Sequence, residues 1–195
     1  MSPKLCLAQD AAADELLSRE PLALLIGMVL DQQIPLEWAF TGPFTLTKRL
    51  GRELDAAYLA QCNPDELAKV FATPPALHRF PGSMAARVQT LCRVIVDEYG
   101  GEPQNIWRDA ATGTELRKRV QALPGFGAHK AKIFVALLGK QYGVRPKGWR
   151  EAAGDFGKAG SHLSVADITD AKSLAKVRAY KKQIKAQAKA AAAAK

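Results

Sequence analysis

The sequence predicts an all-α fold of short helices packed at varied angles, and three observations carry that prediction. Runs of β-branched residues at period two, the mark of a half-buried strand, are absent. Apolar residues recur instead at helical spacing, most clearly as Val88, Leu91, Cys92, Ile95 and Val96. Proline, asparagine and serine stand where helices start, and a glycine pair stands where the longest one stops. With 195 residues and a hydrophobic content of 48%, the chain is long enough for one or two compact domains with a real core.

Asp10–Arg19 reads as a short first helix. Pro21 suits the first turn of a second, Leu22–Gln33, which is apolar nearly all round until Asp31-Gln32-Gln33. Such a helix is expected to be buried, with its polar end at the surface or a cleft. Pro35 separates it from Glu37–Leu50, whose Trp38, Phe40 and Phe44 are expected to pack inward and which Gly42-Pro43 is placed to break. Asn63-Pro64-Asp65-Glu66 carries an N-cap, a first-turn proline and first-turn acids, starting a helix that runs to about Ala72.

Thr73-Pro74-Pro75 and Phe80-Pro81-Gly82 mark a loop, after which Ser83 is expected to cap Met84–Tyr99 and Gly100-Gly101 to end it. Ile106–Ala111 and Thr114–Ala122 read as short helices, and Ala131–Gly139 as a longer apolar one. Tyr142–Trp149 is a basic loop, Arg150–Ala153 a helical turn, and Ser164 a cap for a last helix from Val165. From about Lys181 the chain degenerates into Lys/Ala repeats with no apolar stripe to dock them, expected as a frayed helix or mobile tail. The division is thus a helical core over 1–170 and a basic segment over 171–195.

Charge is unevenly distributed. The formal net charge is +9, yet residues 1–116 sum to −5. Residues 117–150 carry nine Lys/Arg and no acid, and residues 171–195 carry eight basic residues and no acid. Two basic blocks bracketing an acidic molecule fit a polyanion partner.

The first basic block contains Leu123-Pro124-Gly125-Phe126-Gly127-Ala128-His129-Lys130-Ala131. Glycines spaced one apart allow φ > 0 and close approach of an outside group, because neither carries a Cβ. A helix starting just after them offers free backbone N–H groups to an anion such as a phosphate, and Lys130 and Lys132 add positive charge there. An ordinary helix–helix turn is the alternative for the glycine pair alone.

Cys6, Cys62 and Cys92 are far apart and form no C-x-x-C pair, which argues against a disulfide framework, a zinc site or an iron–sulfur cluster. Buried, reduced thiols in a cytosolic protein are the expectation. Met1–Asp10 lacks a long apolar stretch, and Leu22–Leu30 is too short to span a bilayer. The expected setting is cytoplasmic, near the nucleoid, without membrane contact.

Over roughly residues 20–150 the chain resembles the helix-hairpin-helix base-excision DNA glycosylases, the superfamily of endonuclease III and the adenine glycosylase. Ser83-Met84-Ala85 opens a long helix, Arg93–Gly100 closes it, a short helix follows, and Leu123-Pro124-Gly125-Phe126-Gly127 makes the hairpin; upstream, Leu30-Asp31-Gln32-Gln33 is similar to the family's apolar helix ending in a glutamine pair. The resemblance implies two all-α lobes with a cleft, duplex DNA held at the hairpin, and a target nucleotide flipped into the cleft. It also implies that Leu123, Gly125 and Gly127 supply hairpin backbone, with a monovalent cation on the carbonyls of Leu123 and Gly125. Gln33 matches the glutamine that fills the space the base leaves. A water-facing helix-end residue is its alternative.

The departures matter as much. Bifunctional relatives carry a Schiff-base lysine two residues after the second glycine, where this chain has His129, so a lysine-based lyase is not expected. Lys130 is next door, but one helical residue rotates a side chain by about 100°. His129 is a candidate phosphate contact or an ordinary helix histidine. The aspartate that relatives place 18–20 residues on is also missing, since Lys147-Gly148-Trp149 contains no acid. Asp31 and Glu151 are the candidate replacements for stabilising an oxocarbenium-like sugar or activating water, each with a structural alternative. Asp155 lies further on, and Met28 stands where the adenine glycosylase has an acid. Trp38, Tyr142 and Trp149 are candidates to stack a flipped base, with core packing the alternative for each.

Three function classes follow. A monofunctional DNA N-glycosylase without an iron–sulfur cluster or other cofactor leads, a non-catalytic helix-hairpin-helix DNA binder is second, and a protein-interaction scaffold is third.

Overall fold

The computed structural model describes residues 3–193, apart from the side chains of 192 and 193; Met1, Ser2, Ala194 and Lys195, which belong to the first ten residues and the basic segment considered above, lie outside it. The described chain is all-α and contains no sheet; its only bridge pairs Thr112 with Lys147, where the Gly113 N–H donates to the Lys147 carbonyl at 2.8 Å.

Helix α1 (Ala11–Arg19) starts at Asp10, whose carboxylate accepts from the Ala13 N–H. One turn on, the buried Asp14 carboxylate accepts from the N–H groups of Leu7 and Ala8, both at 2.7 Å, and holds the N-terminal segment against the helix. Helix α2 (Pro21–Leu30) has Pro21 in its first turn and is buried at every position from Leu22 to Leu30, as an all-round apolar helix must be. It stops three residues short of the expected Gln33. Asp31 leaves helical ψ, the Gln32 N–H turns back to the Leu30 carbonyl at 2.7 Å, and Pro35 disfavours helix at Ile34.

Helix α3 (Leu36–Leu50) runs straight through Gly42-Pro43, the expected break. Both residues are buried against α2, so closely that a Cβ on Gly42 would lie 2.6 Å from Leu30 Cδ1; packing there outweighs the lost backbone hydrogen bond. Phe40 is buried and Phe44 half-buried, whereas Trp38 is 38% exposed, a departure from the inward packing expected of it.

Helix α4 (Ala56–Gln61), capped by Asp55, was not foreseen; helix α5 (Pro64–Ala72) begins with the Asn63 cap as expected. Both pack on the longest core helix, α6 (Pro81–Tyr99), where the buried Gln89 amide donates to the carbonyls of Leu59 and Cys62. α6 starts at Pro81 rather than after a Ser83 cap. Proline needs no N–H partner and its φ is already helical, so it claims the first position and Ser83 falls inside the helix.

Helix α7 (Asn105–Arg108) is a single turn, shorter than Ile106–Ala111. Helix α8 (Gly113–Ala122), capped by Thr112, leads through the hairpin into helix α9 (Ala128–Gln141), which starts three residues before the expected Ala131. Helix α10 (Trp149–Ala153) lies across both, Trp149 filling the space over Gly139, and continues as a 3-10 turn at Gly154–Gly157. Ser164 does cap, but only a second 3-10 turn, Val165–Asp167. The Asp167 carboxylate closes that turn on the Leu163 and Ser164 N–H groups and pairs with the Lys140 ammonium at 2.5 Å, tying it to α9. The last helix, α11 (Ala171–Ala193), starts six residues later than expected, with the Ser173 N–H on the Asp170 carboxylate.

Candidate nucleic-acid interface

Between α8 and α9 the chain makes a type II turn. The Phe126 N–H donates to the Leu123 carbonyl at 3.0 Å, Pro124 supplies the second residue, and Gly125 the third at φ +87°. A side chain on Gly125 would be strained by that φ and would meet Arg87 Cδ at 3.1 Å and Val29 Cγ2 at 3.3 Å. Leu123 and Phe126 are buried beneath the turn. The Leu123 carbonyl, one of the two named for a cation, already accepts one hydrogen bond and keeps one lone pair free.

Gly127 differs from Gly125. Its φ is −79°, a Cβ placed on it would have no neighbour within 4 Å, and with Ala128 and His129 it is exposed. It begins α9 without a side-chain cap, and the first N–H to return to the helix is that of Ala131, donating to the Gly127 carbonyl at 2.9 Å. The N–H groups of Ala128, His129 and Lys130 are therefore left without helical partners at the positive end of a 14-residue helix.

Lys130 joins this helix start to the end of α2. Its ammonium donates to the Met28 carbonyl at 2.6 Å. Burial holds its pKa below the ordinary lysine range, against the opposing pull of Asp31 and with a further push down from Arg87. Asp31 is half-buried at the C-cap of α2 and close enough to this amine to act on it. Arg87 also donates to the Gln32 side-chain oxygen at 3.3 Å, and the Gln32 amide donates to the Val29 carbonyl at 2.8 Å. The buried His78 finishes the turn: its Nδ1 accepts from the Phe80 N–H at 3.0 Å, which leaves the proton on Nε2 to be donated to the Gln32 carbonyl at 2.8 Å. Every residue from Met28 to Gln32 is thus tied down or buried, while Gln33 itself is exposed and held at φ +58°, a left-handed conformation uncommon for a side-chain-bearing residue.

Lys132 lies about 200° round α9 from Lys130. It is exposed, and its stem passes 3.9 Å from where a Cβ on Gly154 would sit. Glu151, on α10, is exposed, its carboxylate 3.8 Å from where a Cβ on Gly148 would sit, and His129 is edge-on to Phe156 with ring centroids 5.2 Å apart. Asp155 is paired with Lys158. Of the two candidate acids, Asp31 is the one beside Lys130. Met28 is fully buried.

The three aromatic candidates are held in different surroundings. The Trp38 indole donates to the Ala76 carbonyl at 2.9 Å on α3, Tyr142 meets Trp107 edge-on, and buried Trp149 lies against Gly139 and under the Arg150 guanidinium. Sequence reasoning passed over His78, Arg79, Phe80 and Arg87. Phe80 is 45% exposed with the Arg79 guanidinium over its ring at 4.8 Å, two residues from the histidine that holds the Gln33 turn. The only signal in the sequence was an apolar aromatic among prolines and glycine, in a segment read simply as loop.

The fold and this junction define an all-α chain that presents an uncapped, basic helix start beside a pinned, solvent-facing glutamine. No protein-family model matches the chain, and the search of curated proteins found no match either. Among the described residues no group of three or more His, Cys, Asp or Glu side chains is arranged to hold a metal ion, the three cysteines are free, and no helix is long and apolar enough to cross a membrane.

Proposed function

We propose that this protein is a helix-hairpin-helix DNA glycosylase of two lobes, which grips duplex DNA at the start of α9, flips a damaged or mispaired base and hydrolyses its N-glycosidic bond. One observation carries the reading: Lys130 on α9 and Arg87 bond to Met28 and Gln32 at the end of α2, which joins the hairpin with its open N–H groups to the segment that carries the exposed Gln33. The N–H groups and Lys132 take phosphates, which fixes the duplex in register. Gln33 and Phe80 then stand where a base pair opens, the amide replacing lost hydrogen bonds and the ring stacking. Unstacking costs a few kcal/mol, and rigid placement of both groups offsets part of it.

Asp31 is the carboxylate for the reaction. As the base leaves, positive charge builds on the sugar, and an anion beside it lowers the energy of that state while water attacks C1′. Glu151, exposed on α10, has no contact with Lys130 that would place it beside the end of α2. The proximity of Asp31 to the Lys130 amine favours a second reading, in which the carboxylate serves the fold and the protein only binds DNA.

The test uses purified protein and duplexes carrying uracil, hypoxanthine, alkylated purines, 8-oxoguanine or mispairs. Base release that is lost in Asp31→Asn, with binding retained, supports the glycosylase. Binding without release on the whole panel supports the second reading, and no binding removes both.

A further inference from the structure

Lys/Ala repeats alone leave the conformation of a basic tail open, but the geometry of α11 is specific. Leu174 and Val177 are buried and dock the first turns, and Arg178 pairs with Glu37 in the first turn of α3, four residues beyond Gln33. Past Arg178 the helix leaves the body: every residue from Lys181 to Ala191 is exposed. Arg178, Lys182, Lys185 and Lys189 are spaced four, three and four apart, which places all four on one helical face. The stripe is about 16 Å long at 1.5 Å per residue, and no acid lies within α11.

We infer that this stripe is a second, separate contact with duplex DNA, laid along the phosphates that flank the position of Gln33; the inference rests on the proposed DNA-binding role. Three features support a duplex partner. Glu37, in the first turn of α3 just after the loop that carries Gln33, anchors the stripe, so the arm starts beside the proposed binding face. Duplex DNA presents one charge per about 1.7 Å of its axis, enough to engage each lysine along the stripe. The arm offers little apolar surface for a membrane, since Ile184 is the one exposed large apolar side chain on it, and an interfacial helix needs a whole apolar face.

The experiment measures duplex affinity against salt for the full chain, for Lys182→Ala/Lys185→Ala/Lys189→Ala, and for that triple variant carrying Ala179→Lys, Ala186→Lys and Ala190→Lys. The last restores the charge about 90° round the helix. A hairpin variant, Lys132→Ala with Gly127→Ala, runs beside them. The slope of log K against log salt should fall by about 2.7 in the triple variant, at about 0.9 per phosphate contact, and should not return when the lysines are moved off the stripe. An unchanged slope in the triple variant, with binding weakened in the hairpin variant, overturns the inference and leaves the proposed function standing. Recovery in the relocated variant also overturns it, since overall charge would then suffice. Loss of binding in the triple variant alone supports the arm and overturns the hairpin as the grip. No duplex binding by the full chain, or binding only to anionic vesicles, overturns both.

Discussion

Gly125 and Gly127 look alike in the sequence, yet the structure gives them different work, and alanine at each separates fold from binding. At Gly125 the φ of +87° costs a β-carbon about 1–2 kcal/mol. The new methyl also stands 3.1 Å from Arg87 Cδ and 3.3 Å from Val29 Cγ2; the arginine stem can give, but the valine sits on buried α2. For a chain of this size, 1 kcal/mol lowers the melting temperature by about 2–4 °C, so Gly125→Ala should melt roughly 2–8 °C lower. At Gly127 φ is −79° and no residue beyond its chain neighbours comes within 4 Å of the added carbon, so Gly127→Ala should be stable or gain up to about 1 kcal/mol from a stiffer unfolded chain. Its methyl is nevertheless added at the residue from which the open N–H groups of α9 begin, and should crowd a phosphate bound there. Thermal melts and duplex titrations on both variants check this. The reasoning fails if Gly127→Ala melts as low as Gly125→Ala, or if it binds duplex as tightly as the parent.

Lys140→Met should cost about 3 kcal/mol in urea unfolding, because it strands the buried Asp167 carboxylate; Asp167→Asn added to it should recover part of the loss, and equal stability of all three proteins would contradict the pairing. Burial pushes the Cys92 thiol up to about 12, so alkylation at pH 8.5 followed by mass mapping should mark half-buried Cys6 and Cys62 first and Cys92 only after unfolding. Gln33→Gly should relieve the left-handed backbone and raise stability slightly while abolishing the fluorescence rise of a flipped 2-aminopurine; retained flipping would remove Gln33 from the proposed face.

Where a local rule and the packing agreed, the chain was legible. Asn63 caps as its residue type predicts, and α2 is buried because no polar face interrupts it. Two of the misreadings share a cause: a tertiary contact overrode a local signal. Gly42-Pro43 is a helix breaker in isolation, but Leu30 packs on it and the helix continues. Ser164 caps as predicted, yet Asp167 is drawn to Lys140 on α9 and the turn ends there. At the candidate site, Asp31, Gln33 and the hairpin stood out in the sequence as separate pieces. What joins them, Lys130 to the Met28 carbonyl, spans 102 positions, and no periodicity encodes a contact of that range. Residue type alone does not tell a core aromatic from an exposed one, so the burial of Trp149 against Gly139 was not legible either.

Lys130 poses the sharpest chemical question, since an amine in this region could attack an abasic sugar. Nucleophilic attack needs an amine that is both neutral and free. Burial favours the neutral form: the folded-state pKa lies below the unfolded one, so Lys130 weakens the fold at low pH, and that cost is relieved as pH rises through the folded value towards the unfolded one. Asp31 opposes the shift, so Asp31→Asn should lower the Lys130 pKa further, a change visible in its 13Cε shift on titration. Freedom is the condition that fails. The amine is held at 2.6 Å by the Met28 carbonyl, a helix-end acceptor that would be left buried and unpaired if the lysine swung away. Releasing it would also uncouple the hairpin from α2 at the moment DNA loads both. Borohydride reduction in the presence of duplex carrying an abasic site should therefore trap no covalent complex, at pH 7 or at pH 9. A trapped complex that disappears in Lys130→Met would show that this lysine is a nucleophile and that its contact with Met28 is only a resting position.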